Sequence, residues 1–334
     1  MHLEEKLIQE IKSGNDVSVE RGLLIISGLQ TEGEIKAYSQ KLDQIYQGFI
    51  ERLEIKSPLS LSSTRKHMRK TMAMMLFEYL WNTKPRRCNS NFLLRDVIDA
   101  QLSSDVHQKV GSCVGLTSLY TVLGLREKLN LTILVSGSHI VNRLRIDSRN
   151  FCNIDNTDPL GFDCPIEEDK FVEYPPVKLV ANVLNSRGMA RERADNLKKA
   201  REDYEKAIAV NPDYANAFNN RGNIKSKQGD YFGAIEDYNR AIGLNEMFPE
   251  AHCNRGIAKE NLGDLTGAIQ DFSKAIELDS QYGDAYFHRG SAKESLGDYP
   301  GALIDYDKVV ELEPQSKERV APFKNRIERF YDTR

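Results

Sequence analysis

Up to about Trp81 the apolar residues recur three and four apart, the spacing that keeps one face of an α-helix in a core. Within this stretch KHMRKTMAMMLFEYLW sets Met68, Met72, Met75 and Tyr79 on one helical stripe. Such a stripe is either an adaptable binding surface or core filling, and core filling is methionine's commoner use. NFLLRDVIDAQL, Asn91 to Leu102, and GSCVGLTSLYTVLGLREKL, Gly111 to Leu129, continue the helical pattern. The period then changes to two. LTILV, HIVNRLRI and FCNIDN predict three short strands, with a turn near Asp147 to Asn150. Thr157 to Lys178, with Pro159 and Tyr174-Pro175-Pro176, reads as a connector.

Beyond the connector the pattern repeats. Gly188, Gly222, Gly256 and Gly290 stand 34 residues apart, each preceded by an arginine: Arg187, Arg221, Arg255 and Arg289. Twelve residues after each glycine comes Ala200, Ala234, Ala268 or Ala302, and four later Tyr204, Tyr238, Phe272 or Tyr306. These residues resemble the tetratricopeptide repeat, which implies two antiparallel helices crossing closely at small residues, with an aromatic filling the gap. Gly229-Asp230, Gly263-Asp264 and Gly297-Asp298 fit the turn between the helices, and Pro212 and Pro314 the exits. The first copy carries Asp195-Asn196 at that turn, where the asparagine is expected to tolerate the left-handed conformation. Ser316 to Thr333 is expected to form a charged, solvating helix that caps the last repeat. The expected organisation is a helical part over 1–90, an α+β core and connector over 91–178, four repeats over 179–316 and a capping helix over 317–334.

A chain of 334 residues can bury two cores. Its 46 lysines and arginines against 49 aspartates and glutamates leave no positive surface for a nucleic acid or an acidic membrane. MHLEEKLIQEIKSGN is acidic and polar, and no apolar run nears the roughly 18 residues of a membrane span, so a cytoplasmic protein is expected. Five cysteines, Cys88, Cys113, Cys152, Cys164 and Cys253, are odd in number and lack metal-ligand or dithiol spacing. Reduced thiols follow, and no metal or cofactor is expected.

Cys113 sits where a helix begins. A thiol there meets unpaired N–H groups and the positive end of the macrodipole, which favour thiolate. A helix opening with cysteine (GSCVG), a strand with histidine (SGSHIVN, His139) and a strand with aspartate (NIDNT, Asp155) resemble, in that order, the papain-like and transglutaminase-like cysteine enzymes. NFLLRDVIDAQL resembles the helix preceding this core in bacterial transglutaminase-like proteins joined to tetratricopeptide repeats. The resemblance implies an α+β transglutaminase-like domain in which Cys113 is the nucleophile, His139 its charged partner and later proton donor, and Asp155 the residue that orients the ring. The backbone N–H of Cys113, and Gln108 in the papain manner, would serve a developing oxyanion. On HIVNRLRI, His139, Val141, Arg143 and Arg145 share a face, so Asp155 must pair opposite His139, with a loop over 145–149, or opposite Val141, with a loop over 147–149. Each residue also has a plainer use: cysteine in a core, histidine in a loop, aspartate starting a turn. Cys152 falls on the strand face opposite Asp155 and is expected to be packed, Cys253 lies on a repeat helix, and Cys88 follows Arg86-Arg87.

Stacked repeats form a concave groove lined by the first helix of each pair. The inward positions expected here are Asn182, Asn216, Asn219, Asn220, Asn223, Asn254, Phe287 and His288. Carboxamides donate to and accept from a peptide backbone, so an extended peptide of a protein partner fits this lining better than a carboxylate tail gripped by cations. Three functions follow: a cysteine-dependent amide hydrolase or acyl transferase that recruits its substrate through the repeats, a non-catalytic adaptor with the first domain as scaffold, or a redox sensor built on Cys113.

Overall fold

The computed structural model describes residues 3–15, 17–56, 65–83, 93–105, 112–136, 139–148, 150–156, 161–166 and 171–332. The chain divides into two compact units, Met1–Pro212 and Asp213–Arg334.

The first unit runs α1 (Leu3–Lys12), α2 (Val19–Ile26), α3 (Glu32–Lys56), α4 (Arg65–Thr83), α5 (Leu94–Leu102), α6 (Cys113–Arg126), β1 (Leu131–Ser136), β2 (His139–Arg145), β3 (Phe151–Ile154), β4 (Val172–Tyr174), α7 (Leu179–Arg193) and α8 (Leu197–Val210). Local chemistry sets several starts. The Thr31 hydroxyl accepts from Glu34 N while Glu34 Oε2 accepts from Thr31 N, a reciprocal cap that opens α3. Helix α6 is buried from Val114 to Gly124, the environment its continuous apolar pattern requires. The Tyr120 hydroxyl donates to Ala73 O at 2.8 Å and ties α6 to α4.

The sheet is antiparallel throughout, ordered β3-β2-β1-β4. Among the described residues four strands stand where the alternation predicts three, because β4 comes from the expected connector. Val172–Tyr174 pairs with β1 through Ile133↔Tyr174 and Val135↔Val172. Three residues ahead of two prolines are too short to carry a period.

The stripe on α4 is also different from expectation. Its buried face is Ala73, Leu76, Phe77 and Leu80. Met72, Met75 and Tyr79 lie on the half-buried flank, and the side chain of Met68 is outside the described set. With Phe49, Arg52 and Leu53, Met75 and Tyr79 line a shallow cleft between α3 and α4.

The first repeat-spaced pair, α7 and α8, belongs to the first unit. Arg187 explains part of this. Its guanidinium reaches Asp203 at 2.6 Å, Glu4 at 2.9 Å and the carbonyl of Ile26 at 2.7 Å, joining both helices to α1 and α2. The left-handed residue of its turn is Asp195 (φ 56), not Asn196. Asn196 instead caps α8, its side chain accepting from Lys199 N.

The second unit stacks three helix pairs and a final helix: α9 (Ala215–Lys227) with α10 (Tyr231–Leu244), α11 (Pro249–Asn261) with α12 (Leu265–Leu278), α13 (Gly283–Ser295) with α14 (Tyr299–Leu312), then α15 (Lys317–Asp332). Each turn has a glycine at φ 80 to 83 followed by a capping aspartate: Gly229-Asp230, Gly263-Asp264 and Gly297-Asp298. The capping helix buries Val320 and Ile327 and sets Phe323 against Tyr306, so it completes a core as well as solvating the end. No helix among the described residues is long and apolar enough to cross a membrane.

The glycine of each pair is where the helices touch. A Cβ on Gly222 would stand 2.6 Å from Cε1 of Tyr238, a ring that is 1% exposed and held by its hydroxyl to Asn223 Oδ1 at 2.8 Å. Gly222→Ala gains about 1 kcal/mol of helix propensity but forces this ring to move, and overpacking costs about 1–3 kcal/mol. A net loss of about 1 kcal/mol is expected, read as a lower urea midpoint; an unchanged or higher midpoint would show that the pair can part freely.

Candidate functional site

Cys113 is the first residue of α6, after Ser112, which takes extended angles (φ −78, ψ 174) and makes no side-chain cap. It is partly exposed. His139 opens β2, and its ring is 42% exposed. The β2–β3 ladder pairs Asn142 with Ile154 and Arg145 with Phe151, the second of the two registers parity allows, which leaves Asp155 beyond the ladder's end on the face of His139. The Asp155 backbone is held separately, its N–H donating to Gly161 O at 2.9 Å.

These elements bring three side chains together. His139 Nε2 lies 2.8 Å from Asp155 Oδ2, and the ring also hydrogen-bonds the Cys113 side chain. The bond to Asp155, then that to Cys113, outweighs the cost of partial burial and pushes the His139 pKa up to about 10. The imidazolium is therefore the form the site holds at neutral pH. Phe171 stands edge-on to the ring, centroids 6.4 Å apart. It lies in the segment expected to be only a connector, and no pattern in that segment marks it. Gln108 lies outside the described residues, as does Cys88.

Two of the other thiols, Cys152 and Cys253, are buried where Cys113 is not. Cys152 is fully buried, and burial, then the neighbouring Asp163 carboxylate, pushes its thiol up to about 12. Cys253, 1% exposed, is also pushed up to about 12, chiefly by burial.

The repeats form a second candidate site, on α9 and α11. Asn254 Nδ2 donates to Asn219 Oδ1 at 3.0 Å, and Asn219 Nδ2 to Asn220 Oδ1 at 3.5 Å, so three carboxamides run across the two helices. Asn216 is half-buried on the same helix. Asn223 is engaged by Tyr238 inside the pair. Phe287 sits between Tyr306 and Phe323 with the Arg319 guanidinium 4.0 Å over its ring, in the core closed by α15. His288 stacks on Phe272, and its Nδ1 is 3.6 Å from Glu260. Asn182, on α7, is buried in the first unit.

The repeats carry a further periodic feature. The arginine before each glycine grips an aspartate sixteen residues on: Arg187–Asp203, Arg221–Asp237, Arg255–Asp271 and Arg289–Asp305, each with a contact of 2.6 or 2.7 Å. Each aspartate immediately precedes the repeat's aromatic, so the same period of 34 contains the signal.

Models described as TPR repeat match residues 195–229 and 222–263, and models described as tetratricopeptide repeat match 249–282 and 283–316. Comparison with the curated proteins gives no match. Among solved structures, MamA is 23% identical, with 41% of this chain and 81% of that chain covered at a TM-score of 0.38. YrrB, a TPR protein with an unusual peptide-binding site, is 22% identical, with 45% and 79% covered at 0.39. The first TPR of Spaghetti (RPAP3), bound to the HSP90 peptide SRMEEVD, is 24% identical, with 35% and 93% covered at 0.34. The matches to family models fall within the periodic part and leave the likeness of Asn91 to Asp155 to transglutaminase-like enzymes as a proposal. The C-terminal part of the chain is built of tetratricopeptide repeats.

Proposed function

We propose that the chain is an interaction protein whose repeats hold an extended peptide of a protein partner. The carboxamide row Asn219, Asn220 and Asn254 carries this reading, since carboxamides match the donors and acceptors of a peptide backbone. Reduced thiols suit a cytoplasmic setting. The test uses peptides selected from a displayed library by the full chain. Asn216→Ala with Asn220→Ala is expected to weaken them about 25-fold, at about 1 kcal/mol per lost bond. Cys113→Ala should leave their affinity unchanged. Full affinity in the double variant would remove the groove from recognition.

A second reading adds chemistry, favoured by the contacts of His139 with both Cys113 and Asp155. Cys113 sulfur attacks an amide carbonyl carbon, and the tetrahedral oxyanion meets the backbone N–H at the start of α6. The C–N bond breaks as His139 passes its proton to the leaving amine, giving a thioester. Water resolves it in a hydrolase, and a second amine in an acyl transferase. With Nε2 facing Asp155, Nδ1 is the nitrogen that addresses sulfur. This is the papain-like and transglutaminase-like chemistry the sequence resembles, with Cys113, His139 and Asp155 in the catalytic roles and Gln108 as a further oxyanion donor.

A further inference from the structure

Helix α6 is buried on all sides, yet Thr117 and Thr121 are fully buried in it. A buried hydroxyl is costly unless paired. Thr117 Oγ1 donates to Ile140 O at 3.2 Å, and Thr121 Oγ1 accepts from Asn142 Nδ2 at 2.7 Å, both partners on β2. Asn142, fully buried, then accepts at Oδ1 from Nδ2 of Asn156 at 2.8 Å. Asn156, 5% exposed, is the residue after Asp155.

Cys113, Thr117 and Thr121 are spaced i, i+4 and i+8, so they lie near one face of α6. Their partners His139, Ile140 and Asn142 follow one another along β2. The two spans agree: eight helical residues rise about 12 Å, and three strand steps about 10 Å. Sliding α6 by one turn along β2 would break both threonine bonds and leave a buried carboxamide unpaired.

We propose that Thr121, Asn142 and Asn156 form the positioning device of the thiol site. At one end the chain of bonds fixes α6 along β2 so that Cys113 meets His139; at the other it fixes the turn after β3 so that Asp155 meets the same ring. The inference rests on the thiol-site reading for its purpose, and on the hydrogen bonds alone for its geometry. Among the described residues, Asp155, Cys113 and Phe171 face His139.

The experiment compares full-length Thr121→Val, Thr121→Ser and Asn156→Ala with the parent. Thr121→Val keeps the shape and removes the hydroxyl; Thr121→Ser restores it. Asn156→Ala cuts the chain at its other end, so the test does not hang on one variant. Two signals are read: the His139 titration midpoint by NMR, and the iodoacetamide rate at Cys113 at about pH 6. In Thr121→Val and Asn156→Ala the midpoint should fall by at least about one pH unit and the rate about tenfold, while Thr121→Ser keeps both. A merely structural role would lower the melting temperature and leave both signals in place, and that result overturns the proposal. Slow alkylation in the parent would remove the thiol chemistry alone, since the His139 midpoint still reports on the positioning.

Discussion

Asp271→Ala is expected to cost the second unit about 3 kcal/mol, the low end of what stripping the partner from buried charges costs. Asp271 is 4% exposed and takes Arg255 Nη2 at 2.6 Å and Lys259 Nζ at 2.8 Å, with His252 Nδ1 approaching to 4.0 Å. Burial alone would raise its pKa; contact with His252 and with the Arg255 and Lys259 cations outweighs burial and holds the carboxyl well below the usual range. Removing it leaves the cations facing one another between α11 and α12. The low end is chosen because Arg255 and Lys259 keep about a fifth of their side-chain surface in water. A folded pKa below the unfolded value stabilises the fold above that unfolded value, near pH 4, and the contribution disappears as pH falls through the folded pKa. Urea unfolding at pH 7 checks the cost, and a loss under about 1 kcal/mol would mean that the cluster is solvated.

The repeats were legible because their constraint is steric and local. Gly222 and Tyr238 must recur together wherever two helices close on each other, and sixteen residues always separate them. The Arg255–Asp271 pair obeys the same spacing, but an aspartate reads as surface until the structure shows it buried. Phe287 followed the groove spacing, yet it is held in the core that α15 closes, which only the terminal repeat experiences. In the first unit, the resemblance pointed to Cys113, His139 and Asp155, whose side chains meet, and parity narrowed the register to two choices. Thr121, Asn142 and Asn156 left no trace of that kind. They are separated by 21 and 14 residues, and polar side chains in apolar runs announce nothing about their partners.

His139→Ala is expected to slow iodoacetamide labelling of Cys113 about tenfold at pH 6. The parent site keeps a proton on His139 because its hydrogen bonds to Asp155 and Cys113 push the ring up to about 10. An imidazolium beside a sulfur favours the reactive thiolate, so the parent should label faster than the variant at pH 6. The sign is fixed by linkage: the fold favours the charged ring, so the stability it lends is complete below about pH 6.5 and is lost as pH climbs through about 10. A thiolate without that neighbour is intrinsically more nucleophilic, which returns part of the loss and leaves about tenfold. Asp155→Asn should fall between the two, since it retains the neighbour but not its charge. Peptide mapping separates Cys113 from Cys152 and Cys253, whose raised pKa values make them slow at this pH. If His139→Ala matches the parent, the three side chains form a structural contact and the repeats alone carry the function.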